Sequence, residues 1–439
     1  MKYRIRGALA ISALFVVCSL VLPAPSFAQA PSTSAVCNQP GVEPIMYVDL
    51  PGNPFMAAPT HDGCWVFVSL SGLQTGIAVL RRAGGKVSLA RVVAIQNHPA
   101  GMVLTHDGSL LIAADDDGVA ILDVRLLISG QGEAVVGYLR HGPADVPSET
   151  RRFIASQFGD QAASQTRTAG SIYVNATADD RFLFVSDEWV QTITVINLEK
   201  ARRSNFAPDL VLGKIPVGVA PIALTFSPDE RYLYTTSEAG LPSYGWPLEC
   251  KREGQGPLKA EPGNPQGAIV VVDVAKAKLD PRNAVIAKVA AGCTPVRLAV
   301  SPKGDVAFVT ARNNNALLAF NTSKLIRDSA HALIGSVPVG VSPVGVAVID
   351  GNHNVLVTNS NRFSGDSDNN QSLTLIDGGR VSSGAAAVLG TIPAGAFPRE
   401  LTLTADSRTL LVTNYNSKTL EVVDLAKLPL VFNETHKKP

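Results

Sequence analysis

The sequence predicts an all-β fold, a seven-bladed β-propeller closed by its N-terminal strand, and three observations carry that expectation. Seven segments share one register, in which a short apolar strand, a polar turn, a second strand and a third strand follow one another. A proline stands six residues before the turn in six of the seven. A strand-like run ahead of the first repeat supplies the piece that the last repeat lacks. Four-stranded units of this length cannot bury both faces alone, whereas a ring packs each blade between two neighbours.

Taken from the start, residues 1–28 read as a secretory signal peptide. Lys2, Arg4 and Arg6 precede an apolar run from Ala8 to Leu22, and small residues lead to a cleavage site after Ala28. The run is shorter than the roughly 20 residues that a membrane span needs. Residues 29–43 form an N-terminal extension. Residues 45–50 match the outer-strand pattern and are expected to complete the last blade, which joins chain start to chain end and hides two strand edges.

The propeller is expected over residues 44–427, with a tail at 428–439. Its anchors, the residues before each turn, are Thr60, Thr105, Thr177, Ser227, Ser301, Ile349 and Thr404. Six places earlier stand Pro54, Pro99, Ser171, Pro221, Pro295, Pro343 and Pro398. Nine places later stand Ser69, Ala114, Ser186, Thr236, Thr310, Thr358 and Thr413. First strands alternate at period two, as in Leu224 and Phe226 or Leu401 and Leu403. Third strands often close on aspartate, and fourth strands read as residues 211–216, 285–290, 333–338 and 388–393.

Three insertions interrupt the repeat, at residues 141–170, 238–267 and 360–371. The loop between strands two and three of a blade shares its rim with the loop into the next blade, so all three fall on one face. Long insertions in a compact repeat are more often interaction loops than fillers. The same reasoning sorts the cysteines. Cys18 leaves with the signal, and the remaining four are an even count that suits an oxidising compartment. Cys37 and Cys64 belong to the plain face and Cys250 and Cys293 to the decorated one, which pairs Cys37 with Cys64 and Cys250 with Cys293. No Cys-x-x-Cys pair exists, so a thioredoxin-type site, a zinc ribbon and a c-type haem site lack their ligands.

Composition narrows the function classes. Lys+Arg 38 against Asp+Glu 37, with 46% apolar residues, excludes a disordered chain and the basic field of a nucleic-acid binder. Val357-Thr358-Asn359 and Val412-Thr413-Asn414, each with an upstream proline and a following strand that ends in Asp, resemble the YVTN repeat of exported bacterial and archaeal propellers. Surface-layer-type and lactonase-like propellers are the related fold groups. The resemblance spans roughly residues 44–427 and implies an exported seven-bladed ring; its Thr-Asn pair is a structural end-of-strand device. Units one to five depart from it, with Ser69-Leu70, Ala114-Asp115, Ser186-Asp187, Thr236-Ser237 and Thr310-Ala311, so no catalytic residue is carried over.

Candidate chemistry gathers at the ends of the second strands. Asp115, Asp116 and Asp117, Asp187, Glu188 and Trp189, Arg312, Asn359, Asn361 and Arg362, and Asn414, Tyr415 and Asn416 form a ring of carboxylates, amides and guanidinium groups. Such a ring can hold a sugar-like ligand or a divalent cation, although Asp and Asn are also ordinary turn residues. Residues 366–370 are rich in oxygen ligands but lack the Gly and distal Glu of an EF-hand. Arg297 and Glu400 stand two places after the repeat proline, where other units carry Met56, Gly101, Tyr173, Ala223 and Gly345. They suit either a hydrolytic pair, with Glu400 as general base, or an internal ion pair. Tyr244 and Trp246 suit an aromatic binding surface or the small core of their own loop. His61 and His106 share a turn position and point to nothing specific. No Gly-x-Ser-x-Gly, His-Glu-x-x-His or Walker loop occurs.

The expected protein is a periplasmic or secreted monomer that binds a protein partner or a small polar ligand through the decorated face. It needs no resident cofactor beyond an optional divalent cation, binds no nucleic acid and spans no membrane. The alternatives are a lactonase-like hydrolase or cation-dependent enzyme at the channel mouth, and a structural repeat protein of the cell envelope.

Overall fold

The structure, a computed structural model, describes Cys37, Gly41 and residues 43–141, 145–206, 210–251, 263–349, 354–362 and 371–428. The expected signal peptide at residues 1–28, most of the expected third insertion with the acidic run 366–370, and residues 429–439 lie outside the described residues.

Among the described residues the strands build seven antiparallel blades, each ordered from an inner to an outer strand. Blade one is Asn53–Pro59, Trp65–Ser71, Gly76–Ala83 and Lys86–Val93; blade two is Pro99–Leu104, Leu110–Asp115, Gly118–Asp123 and Val135–Arg140. Blade three is Ser171–Ala176, Phe182–Asp187, Thr192–Asn197 and Val211–Pro216. Blade four has a divided inner strand, Val219–Pro221 and Thr225–Phe226, then Tyr232–Ala239, Ala268–Asp273 and Val285–Ala290. Blade five is Pro295–Val300, Val306–Ala311, Ala316–Asn321 and Leu333–Pro338; blade six is Pro343–Val348, Asn354–Asn359, Ser372–Asp377 and Val388–Pro393. Blade seven takes Pro398–Leu403, Thr409–Asn414 and Thr419–Asp424 from the chain end and Ile45–Asp49 from its start. That closing strand pairs from Ile45 opposite Val423 to Asp49 opposite Thr419.

The repeated residues have local causes. In five units the anchor hydroxyl donates to an aspartate two places on, as from Thr105 to Asp107 and Thr404 to Asp406, whereas Ser301 donates to Asp305; all six hydroxyl anchors accept the amide five places on. The residue three places on is left-handed, and Gly63, Gly108, Asp180, Glu230, Gly304 and Ser407 fill that place. This side-chain turn fixes the reversal between first and second strands. Ile349 has no hydroxyl, and the turn that follows it lies outside the described residues.

The hydroxyl nine places after the anchor joins neighbouring blades. Thr310 Oγ1 accepts the amide of Arg297 in its own blade at 3.1 Å and donates to the carbonyl of Val344 in the next at 2.7 Å. Ser69, Thr236 and Thr413 make the same double bond, to Ala100, Val296 and Phe55 respectively. The last of these crosses the closure from blade seven to blade one.

The core is a set of slabs between blades. Leu183, Val185 and Ile196 of blade three pack on Ile112, Val119 and Ile121 of blade two. At the closure, Val48 and Leu50 join Val66 and Val68 to Leu411, Leu420 and Val422. Gly101 shows how tightly inner strands approach, because a Cβ there would lie 2.6 Å from the Tyr173 ring and 2.9 Å from the Ile172 carbonyl.

Two features depart from expectation. The inner strand of blade four is interrupted, with Ala220 left-handed and Leu224 buried in the gap rather than in a strand. Short helices follow third strands: Asp123, Asn197, Asp273 and Asn321 cap Val124–Ser129, Leu198–Arg203, Val274–Ala277 and Thr322–Arg327. The aspartates that end third strands are therefore N-caps, whose side chains accept an amide of the first turn.

Candidate functional site

The decorated rim is built by the segments that follow second and outer strands. The first insertion carries helices Ser148–Phe158 and Asp160–Gln165. Its Phe153 packs with Val219, Ala220 and Ala239 of blade four, and Gln191 Nε2 donates to Thr150 Oγ1 at 2.9 Å. The second insertion holds a small sheet of Leu248–Cys250 and Asn264–Pro265. A disulfide joins Cys250 to Cys293, with Cα atoms 5.4 Å apart, and ties this insertion to the loop into blade five. A second disulfide joins Cys37 to Cys64. Tyr244 and Trp246 meet edge to face at 5.1 Å, and the Tyr244 hydroxyl donates to the Val217 carbonyl. Trp246 also packs against the slab between blades three and four, so this pair builds the base of its loop.

Much of the expected polar ring is interior. Asp115, Asp187, Asn359 and Asn414 are 0–1% exposed. Asp187 accepts from Ser171 and Thr194, and its Oδ1 lies 3.2 Å from buried His141 Nδ1. Asn359 accepts the Gly340 amide and donates to Ser372 and Thr374, and Asn414 donates to Glu421. These side chains tie the ends of second strands to third strands and outer loops. Asp115 carries a carboxyl pushed up to about 7 by burial, against the opposing pull of Arg140. Asp117 accepts the Ala169 amide, and the Trp189 ring lies against Gly170; both brace the end of the first insertion.

What remains at the mouth is a charged and aromatic layer drawn from distant blades. Arg312 forms a two-pronged pair with Glu238, at 2.9 and 3.2 Å, with both side chains 2% exposed. Arg297 is ion-paired with Glu400 beneath it, also buried, and its guanidinium lies 4.9 Å from the Tyr173 ring centroid. Arg362 packs over Phe397, and Arg399 stacks on Phe55 at 3.8 Å with Phe397 and Tyr415 each 5.6 Å away. Glu188, Arg362, Arg399 and Tyr415 are half-buried. Burial, then the neighbouring Glu238, pushes the Glu188 carboxyl up to about 8. Burial, then Arg297 and Arg362, brings Arg399 down to about 9.

Two of these residues were not singled out from sequence. Glu238 occupies the same offset from its anchor as Glu188 and Arg312. Arg399 follows its repeat proline directly, where the other units place Phe55, Ala100, Ile172, Ile222, Val296 and Val344. One charge among six uncharged equivalents was the available signal.

The opposite end of the channel is chemically different. A cavity of about 390 Å³ opens there, lined by Met56, Met102, Leu104, Tyr173, Leu224 and Leu403 among others. Its polar walls are engaged in the ring, since Asn175, Thr225 and Thr402 donate to the carbonyls of Leu224, Leu298 and Ala57. Among the described residues no three His, Cys, Asp or Glu side chains are grouped to hold a metal ion, and no helix is long and apolar enough to cross a membrane.

No protein-family model matches the chain, and no curated protein matches it in sequence. Its structure resembles hydrazine synthase of Kuenenia stuttgartiensis, with a TM-score of 0.59 at 16% identity over 86% of this chain and 97% of that one. It also resembles a chain of the mitotic checkpoint complex, with a TM-score of 0.58 at 14% identity over 94% and 99%. The common ground is the propeller. At such identities the likeness concerns fold alone, and the site must be read from its own residues.

Proposed function

We propose that this chain is an exported propeller of the YVTN-repeat kind that acts as a non-enzymatic binding scaffold through its decorated face. The half-buried mouth, where Glu188, Arg362, Arg399 and Tyr415 meet beside the first two insertions, is the observation that carries this reading. Concave sites with a few convergent polar groups among aromatic rings are where proteins hold ligands. Two disulfides are compatible with an oxidising compartment and support export. The hydrolase alternative draws less support, because Glu400, its general base, is buried and already paired with Arg297.

Photo-crosslinking side chains placed one at a time on both faces test the proposal. Asn416 and Glu249 are exposed on the decorated face, and Asp62 and Lys303 are exposed in turns of the plain face. A partner should be captured from the first two positions and not from the last two. Capture from the plain face alone would refute the assignment. A thermal-shift panel of lactones, oligosaccharides and divalent cations complements it, and stabilisation by a lactone that Glu400→Gln abolishes would favour the enzyme.

A further inference from the structure

Arg399 is a charge in search of a counterion. An arginine stays protonated at physiological pH and offers five N–H donors in a rigid fork. Three aromatic rings hold this guanidinium in place, and the one hydroxyl they carry, that of Tyr415, is engaged with Ser71 at 3.1 Å. Its Nε is buried with no hydrogen-bond partner among the described residues. The acid that attracts it most, Glu400, is already paired with Arg297. Its other charged neighbours, Arg297 and Arg362, repel it. A partly buried cation in this position is costly unless an anion meets it.

We propose that Arg399, with Glu188 across the mouth, forms a subsite for an anionic group, a carboxylate or phosphate, on the ligand that the decorated face binds. The inference rests on the scaffold reading and names the chemistry of its ligand. The guanidinium fork suits two-pronged contact with a planar or tetrahedral oxyanion, and the stacked rings hold it pre-oriented. Glu188 plays the second part. It faces Glu238, Arg399, Arg362 and Arg312, and burial keeps it mostly protonated at neutral pH, its carboxyl raised to about 8. A neutral carboxylic acid donates a hydrogen bond to an anion, whereas an ionised one competes for the same guanidinium. Anion binding should therefore weaken as pH rises through about 8, where Glu188 loses its proton.

The test is calorimetric titration of the full chain at low ionic strength with glutarate, citrate, inorganic phosphate and a Glu-rich peptide. Saturable one-site binding by at least one probe is expected. Arg399→Met should weaken it by roughly tenfold to a hundredfold, the worth of a charge-assisted hydrogen bond, and Arg399→Lys by less. Glu188→Gln cannot ionise, so whatever its affinity at neutral pH, that affinity should stay flat between pH 7 and about 8.5, where the parent's falls. Circular dichroism confirms that each variant folds, and Arg399→Lys with Glu188→Gln decides the matter if Arg399→Met does not. Binding of the small acids points to a free acid and binding of the peptide alone to an acidic protein segment; both support the subsite. Silence from every probe, or undiminished binding in the Arg399 variants, overturns it. If decorated-face crosslinks persist while no anion binds, this inference fails and the scaffold reading stands. Arg399-dependent binding with crosslinks only from the plain face has the reverse meaning.

Discussion

Glu421 sits fully buried on the third strand of blade seven, opposite Tyr47 of the closing strand. Its Oε2 accepts from Asn414 Nδ2 at 2.9 Å, while Oε1 has no hydrogen-bond partner among the described residues. Burial raises its carboxyl from an ordinary 4.5 to about 7. A raised carboxyl favours the folded state while it is protonated, so that contribution is complete below about 4.5 and is lost as pH climbs through about 7. Glu421→Gln keeps the shape and the amide contact but cannot ionise. Its melting temperature should match the parent near pH 5 and exceed it near pH 8.5, with a gain of at most roughly 3 kcal/mol. An equal shift at both pH values would sink the explanation. The sequence showed an acid in a strand but not its burial, because Glu421 follows Leu420 and precedes Val422 in a strand enclosed on both faces.

At the scale of elements, the strongest regularity in the sequence proves to be a hydrogen-bonding device. In blades one, four, five and seven the hydroxyl nine places after the anchor binds the inner strand of its own blade and that of the next. Thr310→Val keeps the volume but strands the amide of Arg297 and the carbonyl of Val344, both buried. The loss should be roughly 1–3 kcal/mol in urea unfolding, with Thr310→Ser much milder. A Val variant as stable as the parent would show that the repeated hydroxyl is not a fastening. Strands were legible because period-two alternation and these fixed offsets recur seven times. The helices after third strands were not, since four to six residues are too few to show helical periodicity. Their signal was the capping Asp or Asn, which read as the end of a strand. Asn359 and Asn414 misled in a related way, since an Asn in a turn and an Asn that ties strands inside a blade look alike in sequence.

For the whole molecule, closure is the event on which the other contacts depend. The first described strand and the last strand are neighbours, and the slab between blades seven and one contains Val48, Leu50, Leu411 and Leu420. The Cys37–Cys64 bond ties the segment leading into the closing strand to the turn of blade one. Replacing both cysteines by serine should lower stability by roughly 2–4 kcal/mol, as for loops of this size, and an unchanged thermal midpoint would remove the closure role. The number of blades and the closing strand follow from the sequence alone. They rest on local interactions that repeat, and repetition writes itself into spacing. The mouth does not repeat. Glu188, Glu238, Arg312, Arg362 and Arg399 come from five blades and approach one another only in the folded ring; a shared offset marks three of them, but no spacing says which side chains meet. Which of them is paired, which is protonated and which is left for a ligand depends on burial and on neighbours brought from far along the chain. Only the tertiary structure decides that.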